Sequence, residues 1–391
     1  MPEPRTLLLS EIFPPAVGGS GRLFWELYSR QPAGQFVVAA GAGADAAAFD
    51  KTHQLEVHRL PLALGDRGIR SVRGLKYYLG TAKRVRRLMT QTGCTMLHCA
   101  RNVPEGFVGY LLNLFHGIPY AFYTHGEDIG VSKFSRELAW MTRRVMGRAT
   151  AAIANSYNSR RCLMEDWNYP ESKIHVIQPG MDAGRFQVVP PCRDTRLSLG
   201  WADRTVVLTV GRLQARKGHD RLIRALHRVK QAVPNVLYAI VGTGAEEAAL
   251  KELVARENLG DCVQFLRGVT DEVMTRCYQQ CDLFALPNRT IDGDIEGFGM
   301  VLLEAQACGK PVLAGDSGGT AETMDIPHTG RVVNCDSHEL LAEQLMELLG
   351  DPVRLCTMGT AARKWVETRF DWPQRAKLAG EVWGKFGEQR A

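Results

Sequence analysis

The stretch Glu296-Gly297-Phe298-Gly299-Met300-Val301-Leu302-Leu303-Glu304-Ala305 decides the reading of this chain. It follows a short apolar run at 283–286 and a polar loop at 287–295, so it reads as strand, loop, then helix. The two glycines let the backbone come close to a ligand. From Gly299 onward the chain reads as a helix start, and the unpaired amides of such a terminus favour a phosphate through hydrogen bonds and the macrodipole. Glu296 precedes the helix and Glu304 lies within it, with seven residues between. Two carboxylates so spaced can accept hydrogen bonds from two sets of sugar hydroxyls along one ligand. Either glutamate alone reads as a helix-terminus charge or a surface residue. The pair, with Gly-Phe-Gly between, points to ligand binding.

Four weaker signals lie upstream. Val210-Gly211-Arg212-Leu213 and then Lys217-Gly218 occupy a strand-to-helix loop. Two cations there suit a diphosphate, Arg212 as a fork and Lys217 as a point charge, although the two residues in isolation read as a solvated basic loop. Gly18-Gly19-Ser20-Gly21 reads as a glycine-rich loop between the first strand and the first helix, where many tight turns look the same. Val241-Gly242-Thr243-Gly244 resembles a dinucleotide fingerprint, but Glu247 stands at the third glycine position, which argues against a dehydrogenase. His125, in Thr124-His125-Gly126-Glu127-Asp128, closes a strand, so its side chain can face a ligand with Asp128 orienting it; a lone histidine is otherwise structural.

Around these motifs, short apolar runs alternate with helical patterns. Strands are expected at 6–9, 36–39, 95–98, 121–124 and 151–154, then at 205–210, 237–241, 263–266, 283–286 and 311–314. Helices are expected at 23–30, 69–89, 220–232, 244–257 and 372–386. The alternation predicts parallel sheets covered on both faces. A chain of 391 residues exceeds one ordinary core. Pro179-Gly180, Pro190-Pro191 and a polar stretch mark a linker at 179–200, giving domains at 1–185 and 186–370 and a terminal helix at 371–391. Ten scattered cysteines without a Cys-x-x-Cys pair read as buried thiols, Cys277 and Cys281 included. The N-terminus enters a strand at once, and no apolar run is long enough to span a bilayer, so a cytosolic location is expected.

Taken together, these motifs resemble family 4 retaining glycosyltransferases of GT-B fold, over almost the whole chain. Glu296-Gly297-Phe298-Gly299 with Glu304 looks like the family's E-x7-E signature. Ala305-Gln306-Ala307-Cys308-Gly309-Lys310-Pro311-Val312, Gly318-Gly319-Thr320-Ala321-Glu322 and Pro179-Gly180-Met181-Asp182 extend it. The likeness is strongest to the phosphatidylinositol mannoside mannosyltransferase branch. The resemblance implies two Rossmann-like α/β domains facing across a cleft, with a C-terminal helix crossing back to the first. It implies a nucleoside diphosphate sugar as donor, GDP-mannose favoured, with no cofactor and no metal. Arg212, Lys217 and the Gly19 amide would hold the diphosphate. Glu304 would bind the ribose, and Glu296 with the Phe298–Met300 amides the transferred sugar. His125 would contact that sugar from the first domain. Gly211, Gly242 and Val301 complete the implied donor set. The loop at 10–18 carries no sign of the acceptor, which the resemblance makes lipid-linked or saccharide.

Charge adds a partner question. Residues 1–185 hold 23 Lys and Arg against 15 Asp and Glu, whereas the remainder holds 25 against 27. Helix 69–89 concentrates the excess, with Ile69, Val72, Leu75, Leu79, Ala82 and Val85 predicted as its apolar face. It reads as a domain helix with a solvated basic face, or as a peripheral contact with an anionic membrane. Interleaved aromatic residues for stacking bases are missing, so nucleic acid is not expected. The competing functions are a sugar-nucleotide-binding protein without transfer activity, which would lose Glu296 or His125, and a GT-B epimerase or phosphorylase. Both residues stand in this chain.

Overall fold

The computed structural model describes residues 5–16, 18–63 and 68–388, and the chain divides into two compact units. The first comprises Met1–Pro179 with Trp372–Ala391, and the second Gly180–Asp371.

Seven parallel strands build the first unit: β1 (Arg5–Ser10), β2 (Phe36–Gly41), β3 (Glu56–Leu60), β4 (Cys94–Cys99), β5 (Tyr120–Thr124), β6 (Ala151–Ala154) and β7 (Ile174–Val176). Their order is β3-β2-β1-β4-β5-β6-β7. The helices of this half are α1 (Gly19–Tyr28), α2 (Ala46–Phe49), α3 (Val72–Thr92), α4 (Glu105–His116), α5 (Glu127–Ser132), α6 (Arg136–Arg148) and α7 (Tyr157–Trp167). In the second unit α8 (Arg193–Ser198) precedes six parallel strands: β8 (Thr205–Val210), β9 (Val236–Val241), β10 (Val263–Leu266), β11 (Leu283–Leu286), β12 (Val312–Gly315) and β13 (Gly330–Val333). They run in the order β10-β9-β8-β11-β12-β13. Helices α9 (His219–Ala232), α10 (Glu247–Arg256), α11 (Asp271–Gln280), α12 (Met300–Ala307), α13 (His338–Leu349) and α14 (Pro352–Arg369) cover that sheet, and α15 (Trp372–Glu388) ends the chain.

The near-continuous apolar strands follow from burial on both faces. In β8, Val206, Leu208 and Val210 enter one core and Val207 enters the other. Three strands have no counterpart in the sequence reading: β3, β7 and β13. All three are sheet edges. β3 reads Glu-Val-His-Arg-Leu and has no fully buried residue, so it lacks the apolar signal of a central strand.

Other expectations change. Gly19, Ser20 and Gly21 are not a loop; α1 begins at Gly19, with Gly18 extended before it. The stretch 179–200 is not a free linker. Its backbone folds into α8, the Arg196 guanidinium donates to the Gln280 and Arg204 carbonyls, and Trp201 is fully buried, so packing assigns it to the second unit. The division therefore falls at 179/180 and 371/372. In α3 the expected apolar face is half wrong. Ala82 and Val85 are buried with Tyr78, Leu88 and Met89, while Val72 is 72% exposed, Leu75 49% and Leu79 48%. At about 100° per residue those three lie on the flank of the buried stripe rather than in it. The loop at 10–18 contains Val17, which lies outside the described residues.

α15 packs against α1 within the first unit, as the resemblance implied. Trp383 stacks on Tyr28 with centroids 4.4 Å apart and meets Phe36 edge-on at 5.1 Å. Tyr28 Oη in turn lies 2.7 Å from His98 Nδ1, and burial holds that imidazole down at about 3, so it is neutral. Trp383→Ala should destabilise the first unit by about 3–5 kcal/mol through the cavity it leaves; urea unfolding followed by intrinsic fluorescence checks this, and a change below about 1 kcal/mol would show the helix is not anchored there.

Candidate functional site

Strand order places two crevices. Consecutive helices leave the sheet on opposite sides where the order reverses, between β1 and β4 in the first unit and between β8 and β11 in the second. Ligands of doubly wound sheets bind outside the carboxyl ends of strands at such points.

In the second unit the loops after β8 and β11 meet there. After β8 the backbone is locked to its neighbours: Gly211 N donates to Val241 O at 3.0 Å, and Leu213 N to Thr243 O at 2.9 Å. A Cβ on Gly242 would lie 1.9 Å from Gly211 O, so only glycine permits that approach. A single 3-10 turn, Ala215–Lys217, then aims two cations inward. Gly218 closes it in the left-handed region, and a Cβ there would lie 1.8 Å from Pro287 O. The Arg216 carbonyl accepts from Arg289 N at 2.8 Å, which ties this turn to the loop after β11.

Glu296 lies opposite. Lys217 Nζ donates to its Oε2 at 2.5 Å and Arg216 Nη1 to the same oxygen at 2.6 Å; Arg216 Nε stands 3.0 Å from Asp294 Oδ1. Burial would push the Glu296 carboxyl up, but the Lys217 ammonium and the Arg216 guanidinium outweigh it and hold the group down at about 2. Its backbone is gripped too: Gly319 N donates to Glu296 O at 2.9 Å, and a Cβ on Gly318 would lie 1.9 Å from that oxygen.

Helix α12 follows at once. Gly299, at φ 91°, is its cap and supplies no side chain, so the Met300 and Val301 amides at its first turn have no intrahelical acceptor. Phe298 is 3% exposed and packs on Phe370 at 5.9 Å, so its side chain belongs to the core. Glu304, half-buried on α12, accepts from Tyr278 Oη at 2.7 Å. Lys217, Glu296 and the α12 terminus are therefore brought to one crevice. Arg212 sits in the same loop but is exposed, and its side chain makes no hydrogen bond or ion pair among the described residues.

Two partners escaped the sequence reading. Arg216 reads as one more surface cation beside Lys217, yet its side chain is 4% exposed. Tyr278 looks like an ordinary helix residue until its hydroxyl reaches Glu304. No local pattern in the sequence marks either one.

In the first unit, His125 Nε2 lies 3.0 Å from Ala100 O. A carbonyl only accepts, so Nε2 is the donor, and Nδ1 has no partner among the described residues. Phe24 of α1 meets the ring edge-on at 5.9 Å. Asp128 does not orient the imidazole, contrary to expectation. Its Oδ1 accepts from Thr124 Oγ1 at 2.8 Å and from the His125 backbone N at 3.0 Å, which ties the first turn of α5 to the end of β5. Gly19 is exposed at the start of α1, where no side chain caps the helix. At the β1/β4 crevice Arg101 joins Glu105, four residues on, at 2.8 Å and Glu11 at 2.5 Å; Glu11 is too distant in sequence to be paired with it beforehand. Cys277 and Cys281 are both fully buried.

A doubly wound sheet presenting cations, acidic groups and an uncapped helix terminus at its switch point suits a phosphate-bearing ligand. The model of glycosyltransferase family 4 matches residues 17–185, and that of glycosyl transferases group 1 matches residues 194–365. A GDP-mannose-dependent monoacylated alpha-(1-6)-phosphatidylinositol monomannoside mannosyltransferase of Corynebacterium glutamicum is 32% identical over 379 residues, covering 94% of each chain. A GDP-mannose-dependent alpha-(1-6)-phosphatidylinositol monomannoside mannosyltransferase of Mycobacterium tuberculosis is 30% identical over 383 residues, covering 96% of this chain and 97% of that one. Among solved structures, Anabaena HepE with UDP superposes with a TM-score of 0.81 at 22% identity, covering 97% of this chain and 100% of that one. Sucrose-phosphate synthase of Thermosynechococcus elongatus gives 0.79 at 20% identity, covering 98% and 100%. The chain belongs to the family 4 glycosyltransferases, with the GT-B fold.

A carboxyl held down in the folded state stabilises it fully above the unfolded value of about 4.3, and that contribution is lost as pH falls toward about 2. Glu296→Gln should flatten the acid-side loss of stability between roughly pH 5 and pH 3. Urea titrations of both proteins across that range check it, and parallel pH dependences would disprove the coupling.

Proposed function

We propose that this chain transfers a hexosyl group, mannosyl foremost, from GDP-mannose to a lipid-linked saccharide acceptor, with retention of configuration and without a metal ion. One observation carries the reading: Lys217 and Arg216 converge on Glu296 directly before the uncapped terminus of α12. The names of the two mannosyltransferase relatives favour the donor and the glycolipid acceptor.

In that reaction the anomeric bond breaks toward an oxocarbenium-like state and negative charge grows on the leaving diphosphate. Lys217, Arg212 and the Met300 and Val301 amides supply positive charge for it. With that stabilisation provided by the chain's own groups, a cation has no separate task. Glu304, fixed by Tyr278, suits ribose hydroxyls, and Glu296 suits the hydroxyls of the transferred sugar. His125 Nδ1 is open to a further hydroxyl. Glu296 is engaged by two cations, which lowers its nucleophilicity. We therefore favour attack on the face that the diphosphate leaves, with a phosphate oxygen taking the acceptor proton, over a glycosyl-enzyme intermediate.

The acceptor side of the proposal rests on α3, α4 and α6, which pack side by side in the first unit. Seven Lys and Arg lie between residues 70 and 87 and four more on α6. The acids of these helices are engaged elsewhere: Glu105 with Arg101, and Glu137 with the Ile69 and Arg70 amides. Phe115, 63% exposed, lines one pocket with Leu79, Lys83 and Arg86, and the Arg144 guanidinium lies 5.3 Å from the ring of Trp140, 42% exposed; Val72 and Leu75 are exposed on α3. Cations beside exposed apolar groups suit an anionic bilayer surface that presents a lipid acceptor, at the cytosolic side where nucleotide sugars are available. No helix among the described residues is long and apolar enough to cross a membrane.

Lys217→Met should lower turnover of GDP-mannose about 10²–10³-fold, and EDTA should leave the parent rate unchanged; loss of activity in EDTA would end the metal-free mechanism. The protein should float with liposomes containing anionic lipid and release as salt rises, with Phe115→Ser and Trp140→Ser weakening the association. Equal flotation with neutral lipid, or none, would remove the membrane from the proposal.

A further inference from the structure

Glu296 is served by two unlike cations. Lys217 reaches Oε2 through a flexible stem and a single bond. Arg216 is held at more points: its carbonyl by Arg289 N, and its guanidinium by ion pairs with both Glu296 and Asp294. Both cations meet on Oε2, and no described group donates to Oε1. The carboxylate is thus clamped at one oxygen and open at the other.

A diphosphate competes for the more mobile of the two. A compact ammonium on a four-carbon stem turns to a new anion easily, whereas a buried guanidinium forked between two carboxylates does not. Were Lys217 the sole partner of Glu296, drawing it to a diphosphate would leave a carboxylate with little exposure and no counter-charge, a state costly enough to be relieved by taking up a proton. A protonated Glu296 would lose its anionic acceptor just as the sugar arrives. The charged groups facing Glu296 are Lys217 and Arg216 from the loop after β8, with Asp294 behind Arg216; the segment 318–319 offers backbone only.

We infer that Arg216 is a positioning residue: it clamps Glu296 Oε2 from the protein side, so that Oε1 stays an ionised acceptor for a sugar hydroxyl while Lys217 is released to the donor diphosphate. The inference rests on the transferase reading above and separates the roles of two adjacent cations that the sequence presents as a pair.

The test compares Arg216→Met, Arg216→Lys and Asp294→Asn with the parent, all confirmed folded by circular dichroism. Carbon-13 NMR of labelled Glu carboxyls, assigned with Glu296→Gln, follows Glu296 with and without GDP. In the parent the carboxyl stays ionised down to about pH 4 in both states. In Arg216→Met, GDP should raise its titration by about one unit or more, and Arg216→Lys should restore most of the difference. In turnover, Arg216→Met should lower kcat about 10²-fold, with the acid limb moved to higher pH and the donor KM changed by less than about threefold. Asp294→Asn should give a smaller change in the same direction. Two outcomes overturn the inference: a folded Arg216→Met in which Glu296 titrates as in the parent with GDP bound, or a loss confined to donor KM and GDP affinity, which would make Arg216 a diphosphate ligand. If the parent transfers no sugar from any nucleoside diphosphate donor, the transferase reading fails, and the carboxyl titration still decides the role of Arg216.

Discussion

A carboxylate with little access to water needs counter-charge, and in this chain the need is met by Arg216 and Lys217 around Glu296. Burying an ion costs several kcal/mol even after relaxation, and good geometry with more than one donor is required to offset it. That requirement links three loops at the carboxyl ends of β8, β11 and β12. Glycines make the linkage possible. Gly218 lets the cationic turn touch Pro287, Gly315 lets the chain pass Asn288, and Gly318 presses against the backbone of Glu296 itself. A Cβ at any of these positions would push apart the charges the site depends on.

The same arrangement explains how one crevice can serve a ligand whose parts differ in charge. The uncapped start of α12 and the flexible ammonium of Lys217 suit a diphosphate. The glutamates at 296 and 304 suit neutral hydroxyls on either side of it, each oriented by its own partner: Arg216 in one case and Tyr278 in the other. Fixing these groups before the ligand arrives limits the reorganisation left for the reaction, which is how electrostatic preorganisation accelerates charge-forming steps.

The first unit is organised differently. Its ordered groups are His125, whose ring is set by the Ala100 carbonyl, and Arg101 between two carboxylates at the β1/β4 crevice. Its outer helices carry cations with few free acids and several exposed apolar residues. The final helix belongs to this unit although the chain has already built the other one, because Trp383 and Phe386 find an aromatic pocket around Tyr28, Phe36 and His98. A long-range aromatic contact of this kind decides domain membership more firmly than order along the chain.

The apolar runs and their alternation with helical spacing were enough to predict two parallel α/β sheets. The Glu296–Glu304 spacing around Gly-Phe-Gly, with the motifs that extend it, was enough to name the family. These features are local: strand burial on two faces and a glycine-led helix start are written in consecutive residues. Edge strands such as β3 were illegible because partial exposure removes the apolar signal, and α8 was hidden in a polar stretch whose order comes from contacts with Gln280 and Arg204. Only the tertiary structure decided that Arg216 joins Lys217 on Glu296, that Ala100 rather than Asp128 sets His125, and that Leu75 and Leu79 face outward. Each of these depends on the direction of a side chain relative to a loop or helix brought close by the fold, and sequence neighbours carry no record of that direction.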